Sequence, residues 1–278
     1  MTAERVHRAD SVDGTEIAGR VHGHGPPLVL VHGGPHDGDL AWEALVPHLA
    51  DRYTCYLPSV RGRGLSSDSP DLSPPRLAED FTAFVDSIGE PVGLVGWSSG
   101  GPWCLGAAHS ALVAAVALYE PAVFSVLRGE DRARMSAAFA QGDAAAADGR
   151  FVDASRANHA GVLTDDEMAA LESDYFERCA DIVPAALKMG EQGGSYDGPQ
   201  STDPEMLAEV RVPVLLLRGQ ETLLDTFFAD SEQYIAEHVV APHVREPLPG
   251  VGHFAPLVAP EPVAKQLISF FDSVRKPS

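Results

Sequence analysis

The stretch around Ser98 limits what this chain can fold into more than any other. A short apolar run, Val92 to Val95, leads into Gly96-Trp97-Ser98-Ser99-Gly100, and a helical pattern follows at once, continuing through Trp103 to His109. A strand that gives way to a helix within so few residues must turn sharply, and the turn forces Ser98 into a strained backbone conformation. Glycines at 96 and 100 leave room that a Cβ would fill. The helix N-terminus then lies beneath Ser98, with its free N–H groups turned toward any negative charge that develops there. Pro102 falls in the first helical turn, where a missing N–H does little harm.

The same rhythm extends along the chain. Val6 to Ala9 and Glu16 to His22 flank Asp13-Gly14, a hairpin signal. Apolar runs at Leu28 to Val31, Thr54 to Leu57 and Val113 to Tyr119 alternate with helical spacing at Trp42, Leu45, Val46, Leu49 and at Leu77, Phe81, Phe84, Val85, Ile88. This order predicts an α/β fold with a mostly parallel sheet covered on both faces. From about Val123 to Pro204 the strand signal stops. Ala137 to Ala147 is helix-prone, and Thr164-Asp165-Asp166-Glu167 is a capping box, with Met168, Leu171, Tyr175 and Ile182 following at helical spacing. Gly190 to Pro204 reads as a return linker. Val212 to Leu217 and His243 to Leu248 are then expected as strands. The final helix carries Val263, Leu267, Phe270, Phe271 and Val274, with Pro262 near its start and Arg275 and Lys276 near its end. The expected division is a core of residues 1–123 and 205–278 with a helical insertion, 124–204.

Composition removes several classes of function. The 278 residues carry 40 acidic and 20 basic side chains, a formal net charge of −20. Such a surface repels phosphate backbones and anionic lipid, so no nucleic acid or membrane partner is expected. Cys55, Cys104 and Cys179 are odd in number and widely spaced, which fits free thiols rather than a disulfide framework or a metal cluster. Met1 to Ser11 lacks the apolar stretch of a signal peptide, and no apolar run reaches membrane-spanning length. A cytoplasmic protein is expected. The sequence carries no signal of oligomeric state.

Two further motifs accompany the elbow: His32-Gly33-Gly34-Pro35 directly after an apolar strand, and Gly250-Val251-Gly252-His253-Phe254 after the last strand. Together the three motifs resemble the serine α/β-hydrolase family over roughly residues 15 to 123 and 205 to 275. The resemblance implies an eight-stranded, mostly parallel sheet with a helical cap inserted after strand 6. It implies Ser98 as nucleophile and His253 as general base, with an oxyanion hole formed by the backbone N–H groups of Gly34 and Ser99. Pro35 has no N–H to offer, and His32 reads as a structural turn residue. Arg61-Gly62-Arg63-Gly64-Leu65-Ser66 resembles a structural loop of the same family, in which Ser59 stands where an aspartate is usual. It is not a phosphate loop, because no Walker lysine and serine follow. His32 and His36 lie in a turn with Pro35 and make no zinc site.

The acid departs from the commonest family pattern, Gly-x-x-Asp after the seventh strand. Here the stretch reads Gly219-Gln220-Glu221-Thr222, and Thr222 cannot balance an imidazolium. Some family members take the acid from the end of the sixth strand, which in this chain is Glu120. Glu120 ranks first, Asp225 second and Glu221 third. Serine at the nucleophile position argues against haloalkane dehalogenase and epoxide hydrolase activity, which use an aspartate there. His-Gly-Gly-Pro is also similar to proline iminopeptidase, but His36 stands where a glycine would follow. The expected function is hydrolysis of an ester or lactone of a small apolar substrate, of carboxylesterase or lactonase type, with no cofactor and no metal. Alternatives are a ligand-binding protein, or a lyase or cyclase on the same fold. Phe151, Met168, Tyr175, Phe176, Ile182 and Met189 of the cap are expected either to line an apolar site or to pack the cap onto the core.

Overall fold

A computed structural model describes residues 5–275; the expectations for Met1 to Glu4 and for Lys276 fall outside the described residues. Eight strands form one sheet: β1 (Val6–Asp10), β2 (Glu16–Gly23), β3 (Pro27–Val31), β4 (Thr54–Pro58), β5 (Val92–Trp97), β6 (Val113–Tyr119), β7 (Pro213–Leu217) and β8 (Ala241–Val244). Their order is β1-β2-β4-β3-β5-β6-β7-β8. β1 and β2 pair antiparallel, and so do β2 and β4; all the other pairs are parallel. This is the mostly parallel, eight-stranded α/β sheet expected.

The period-2 alternation of each central strand feeds two separate cores. Leu28 and Leu30 of β3, Val95 and Trp97 of β5, and Leu215 and Leu217 of β7 pack on one face. Their neighbours Val29, Val31, Leu94 and Leu216 pack on the other. Strands covered on both faces read as unbroken apolar runs for this reason. Each such side chain, fully withdrawn from water, contributes about 1.5–3 kcal/mol. Among the helices, Pro74–Ile88 and Gly100–Ala107 cover one face, and Pro260–Val274 covers the other.

Several boundaries differ from expectation, each for a local reason. The pattern from Trp42 to Leu49 forms two short helices, Gly38–Trp42 and Val46–Leu49, with Pro47 in the first turn of the second. Residues 190–195, expected in a linker, complete the helix Val183–Ser195 despite three glycines. The last strand ends at Val244 rather than Leu248; beyond it only the Gly219–Leu248 bridge rejoins the sheet. Between β6 and β7 the described residues contain no strand. They form the helices Gly129–Ala147, Phe151–Ala160, Asp165–Ala170, Tyr175–Ala180 and Val183–Ser195, with a short helix Pro204–Leu207 leading back to the sheet. The capping box at Thr164 is present with both reciprocal hydrogen bonds. Among the described residues no helix is long and apolar enough to cross a membrane.

Candidate active site

β5 delivers Ser98 at its carboxyl end with φ 55°. Among the described residues only one other non-glycine residue has positive φ: Glu120, at 44°, at the end of the adjacent β6. Such conformations cost about 1–3 kcal/mol each and persist where the surroundings over-determine them. Here they do. Ser98 N–H donates to Tyr119 O (3.1 Å), and Ser98 O accepts from Gly101 and Ala122. Glu120 N–H donates to Leu217 O of β7 (2.9 Å). A Cβ on Gly100 would lie 2.3 Å from Val31 O, and one on Gly96 would lie 2.9 Å from Cys104 Sγ. The two glycines of the elbow are therefore demanded by close packing of the following helix against β3 and β5.

Glu120 is fully buried, yet three donors converge on its carboxylate. Gly219 N–H donates to Oε1 (2.8 Å), and the Thr222 hydroxyl donates to Oε2 (3.1 Å). His253 Nδ1 donates to the same Oε2 at 2.7 Å. A carboxylate only accepts, so in the neutral ring this contact puts the proton on Nδ1 and leaves Nε2 with its lone pair. Nε2 makes no hydrogen bond among the described residues. Thr222, at the position where the resemblance leads one to expect an acid, instead donates its hydroxyl to the carboxylate of Glu120. Asp225 instead ion-pairs with Arg218 at the surface, and the Glu221 side chain is exposed; neither contacts His253.

The histidine loop is held from three sides. Phe228 stacks on the His253 ring at 4.6 Å and 16°. Trp97 Nε1–H donates to His253 O (2.9 Å), and the Tyr119 hydroxyl donates to Gly252 O (2.5 Å). From the helical segment, the capping-box Glu167 accepts the Phe254 N–H (2.7 Å) while binding Thr164 with its other oxygen. Glu167 was visible in the sequence only as a cap; its second role comes from a loop 87 residues away.

Ser98, Ser99, Gly34 and His253 all line one cavity of about 1250 Å³. Gly34 N–H donates to the Ser99 hydroxyl (3.1 Å), so these two residues are in direct contact across the mouth of the elbow. The remaining wall is mainly apolar, with Trp103, Met135, Phe139, Leu187, Phe227 and Phe228 among its residues. Of the six cap residues weighed from the sequence, only Met189 lines it. Tyr175, Phe176 and Ile182 are buried, Met168 packs against the main core, and Phe151 packs within the helical segment. No lysine or arginine lines the cavity among the described residues, whereas Asp143, Glu191 and Asp203 do.

His32 is buried, its Nε2 accepting from Val60 N–H (3.0 Å), and burial pushes its pKa down to about 3, as suits a structural residue. His36 and His159, which sequence reasoning did not connect, meet on one hydroxyl. Their Nε2 atoms lie 2.5 and 3.0 Å from the oxygen of Tyr175, and their Nδ1 atoms bond the carbonyls of Gly33 and Ser155. With Cys179 they form the nearest approach to a metal-ligand set among the described residues, their ligand atoms within 4.8 Å of one another. The Tyr175 hydroxyl already lies between the two imidazoles, where an ion would have to sit. Arg61 is a structural anchor, paired with Asp80 and Asp13 and bonded to Asp71 O.

Comparison with known proteins gives the family. Residues 28–266 match the profile of the Alpha/beta hydrolase family. The chain belongs to that family. A relative from Metapseudomonas resinovorans, 2-hydroxy-6-oxo-6-(2'-aminophenyl)hexa-2,4-dienoic acid hydrolase, is 27% identical, over 95% of this chain and 90% of its own length. A Mycobacterium tuberculosis protein named probable oxidoreductase EphD is 37% identical over 111 residues, 37% of this chain but only 19% of that protein. Among solved structures, an alpha/beta hydrolase from Sphaerobacter thermophilus aligns with TM-score 0.71 and 26% identity, covering 95% of this chain and all of the other. An esterase from a Rhodococcus species aligns with TM-score 0.70 at 23% identity over 97% of this chain and 99% of its own, a likeness of fold.

Proposed function

We propose that this alpha/beta hydrolase cleaves an ester or lactone of a small, largely apolar and uncharged substrate through an acyl-enzyme on Ser98. The observation that carries the reading is the Glu120–His253 contact. It fixes the proton on Nδ1 and leaves Nε2 able to accept the Ser98 proton, in a cavity shared with the strained serine. Ser98 attacks the carbonyl as His253 takes its proton. Glu120 stabilises the imidazolium that forms. The N–H groups of Gly34 and Ser99 hold the oxyanion, the Ser99 hydroxyl rotating away to free the Gly34 N–H for the substrate. His253 returns its proton to the leaving group, and a water activated by the same nitrogen releases the acid. The substrate is a small molecule.

The Metapseudomonas relative that matches nearly the whole chain is named as the hydrolase of a dienoic acid, which makes hydrolysis of such an acid the second reading. A carboxylate in the substrate would want a cationic partner, and among the described residues the cavity wall offers Asp143, Glu191 and Asp203 with no lysine or arginine. That charge pattern favours the neutral ester or lactone. The test is fluorophosphonate labelling followed by peptide mapping, with Ser98→Ala as control. Rapid modification at Ser98 supports the acyl-enzyme reading. An unlabelled but folded protein would overturn it in favour of a binding, lyase or cyclase role.

A further inference from the structure

Two arginines of the loop after β4 are buried, and they are treated differently. Arg61 has carboxylates on two sides. Arg63, only 3% exposed, has no carboxylate within ion-pair distance among the described residues. Its Nη1 donates to Gly34 O (2.5 Å) and His36 O (3.2 Å), and its Nη2 points at Met189 Sδ (3.4 Å). Its Nε is buried with no partner. Burial pulls its pKa down to about 10 while the charge of nearby Asp37 pulls the other way, so the side chain remains a cation at neutral pH. A buried charge without an ion-pair partner is costly to maintain, and two residues away Arg61 has two such partners. Asp37 offsets the Arg63 charge only from beyond ion-pair distance, which leaves part of it to act on an anion that forms beside Gly34.

We propose that Arg63 is a positioning residue for the oxyanion hole, bracing the turn that follows the Gly34 N–H and supplying the fixed positive charge that balances the tetrahedral oxyanion. This rests on the acyl-enzyme reading above. The two carbonyls it binds, of Gly34 and His36, lie in the peptides just after the Gly33–Gly34 unit that bears the N–H, so a displacement of this turn breaks a charge-assisted hydrogen bond. The guanidinium is one residue and one hydrogen bond from that N–H, about 7 Å. A unit charge at this range, in surroundings of effective dielectric about 20, acts on an anion of the transition state and hardly at all on a neutral ground state. The expected effect is about thirtyfold on the acylation rate.

The experiment compares wild type with Arg63→Met and Arg63→Lys, using fluorophosphonate labelling, p-nitrophenyl butyrate turnover and inhibition by an aryl trifluoromethyl ketone. Arg63→Met is expected to lower kcat about thirtyfold with KM within twofold. It is expected to weaken the ketone, which binds as an anionic adduct, by a similar factor. Arg63→Lys, which keeps the charge, is expected to recover most of both losses. Circular dichroism and urea unfolding check that each variant is folded; if Arg63→Met is not, Arg63→Gln, which also removes the charge but keeps a donor for the Gly34 and His36 carbonyls, carries the comparison, with the same loss of kcat expected and an unchanged rate refuting the inference. A wild type that is not labelled at Ser98 refutes the acyl-enzyme reading itself. A labelled wild type with a folded Arg63→Met variant of equal rate refutes only this inference. So does a Lys variant as impaired as the Met variant, or a loss confined to KM.

Discussion

Glu120→Gln tests the site most directly, because the surroundings of that carboxylate allow an amide only two poor choices. In the first, the amide oxygen faces Thr222 and His253, and its NH2 then confronts the Gly219 N–H, donor against donor. In the second, the NH2 faces His253, and the ring must move its proton to Nε2, where it can no longer accept one from Ser98. Either choice removes the negative charge that balances the imidazolium. Loss of tautomer control and charge together is worth about 10³–10⁴ in kcat in serine triads. One buried donor left unsatisfied costs about 1–3 kcal/mol of stability. The assay is steady-state turnover of a p-nitrophenyl ester, paired with urea unfolding to measure the second effect. A folded Glu120→Gln protein that keeps more than a tenth of wild-type kcat would refute the assignment of Glu120 as the acid.

Four other outcomes follow from the geometry. Thr222→Val, which removes one hydrogen bond to the Glu120 carboxylate without changing volume, is expected to lower kcat about tenfold; an unchanged rate would make Thr222 a mere space-filler. Ser98→Gly should abolish turnover yet raise stability by about 1 kcal/mol, since glycine adopts φ 55° without strain; a less stable protein would contradict the strain argument. Glu167→Ala strips the acceptor from Phe254 N–H and from Thr164 N–H, and should cost about 2 kcal/mol in chemical denaturation as well as slow turnover by loosening the His253 loop. Acid should unfold the protein through its buried histidines. His159 and His32 are held neutral by burial, at about 4 and about 3, against 6.5 in the unfolded chain. Below about pH 6.5 the unfolded state therefore gains protons that the native state refuses, and stability falls as pH drops. His159 alone accounts for about 3 kcal/mol by pH 4, which unfolding curves at stepped pH would detect; a flat profile from pH 7 to 4 would refute it.

What the sequence determined by itself was whatever depends on near neighbours along the chain. A glycine-flanked serine between an apolar run and a helix specifies the elbow at Ser98, because the turn needs missing Cβ atoms within two residues of it. Alternating strands and helices specify the parallel sheet, and the loss of that rhythm after Val123 marks the helical segment. Boundaries slipped where tertiary contacts overrode a local signal, as at residues 190–195, where Gln192 bonds Leu72 N–H and Pro70 O across to the core and the segment is helical. The carboxylate that meets His253 was legible only as a ranked choice among Glu120, Asp225 and Glu221, because Glu120 directly follows β6 while Glu221 and Asp225 lie in the segment after β7, and their distance to His253 is not written locally. What chose between them in space was the register of β6 against β7, which brings Glu120 to Gly219, Thr222 and a histidine 133 residues further on. The same holds for Arg63 beneath Gly34, Glu167 against Phe254, and His36 and His159 on one tyrosine. A hydrogen bond or a counter-charge is satisfied by whatever the fold brings within 3 Å, and a linear sequence does not carry that distance.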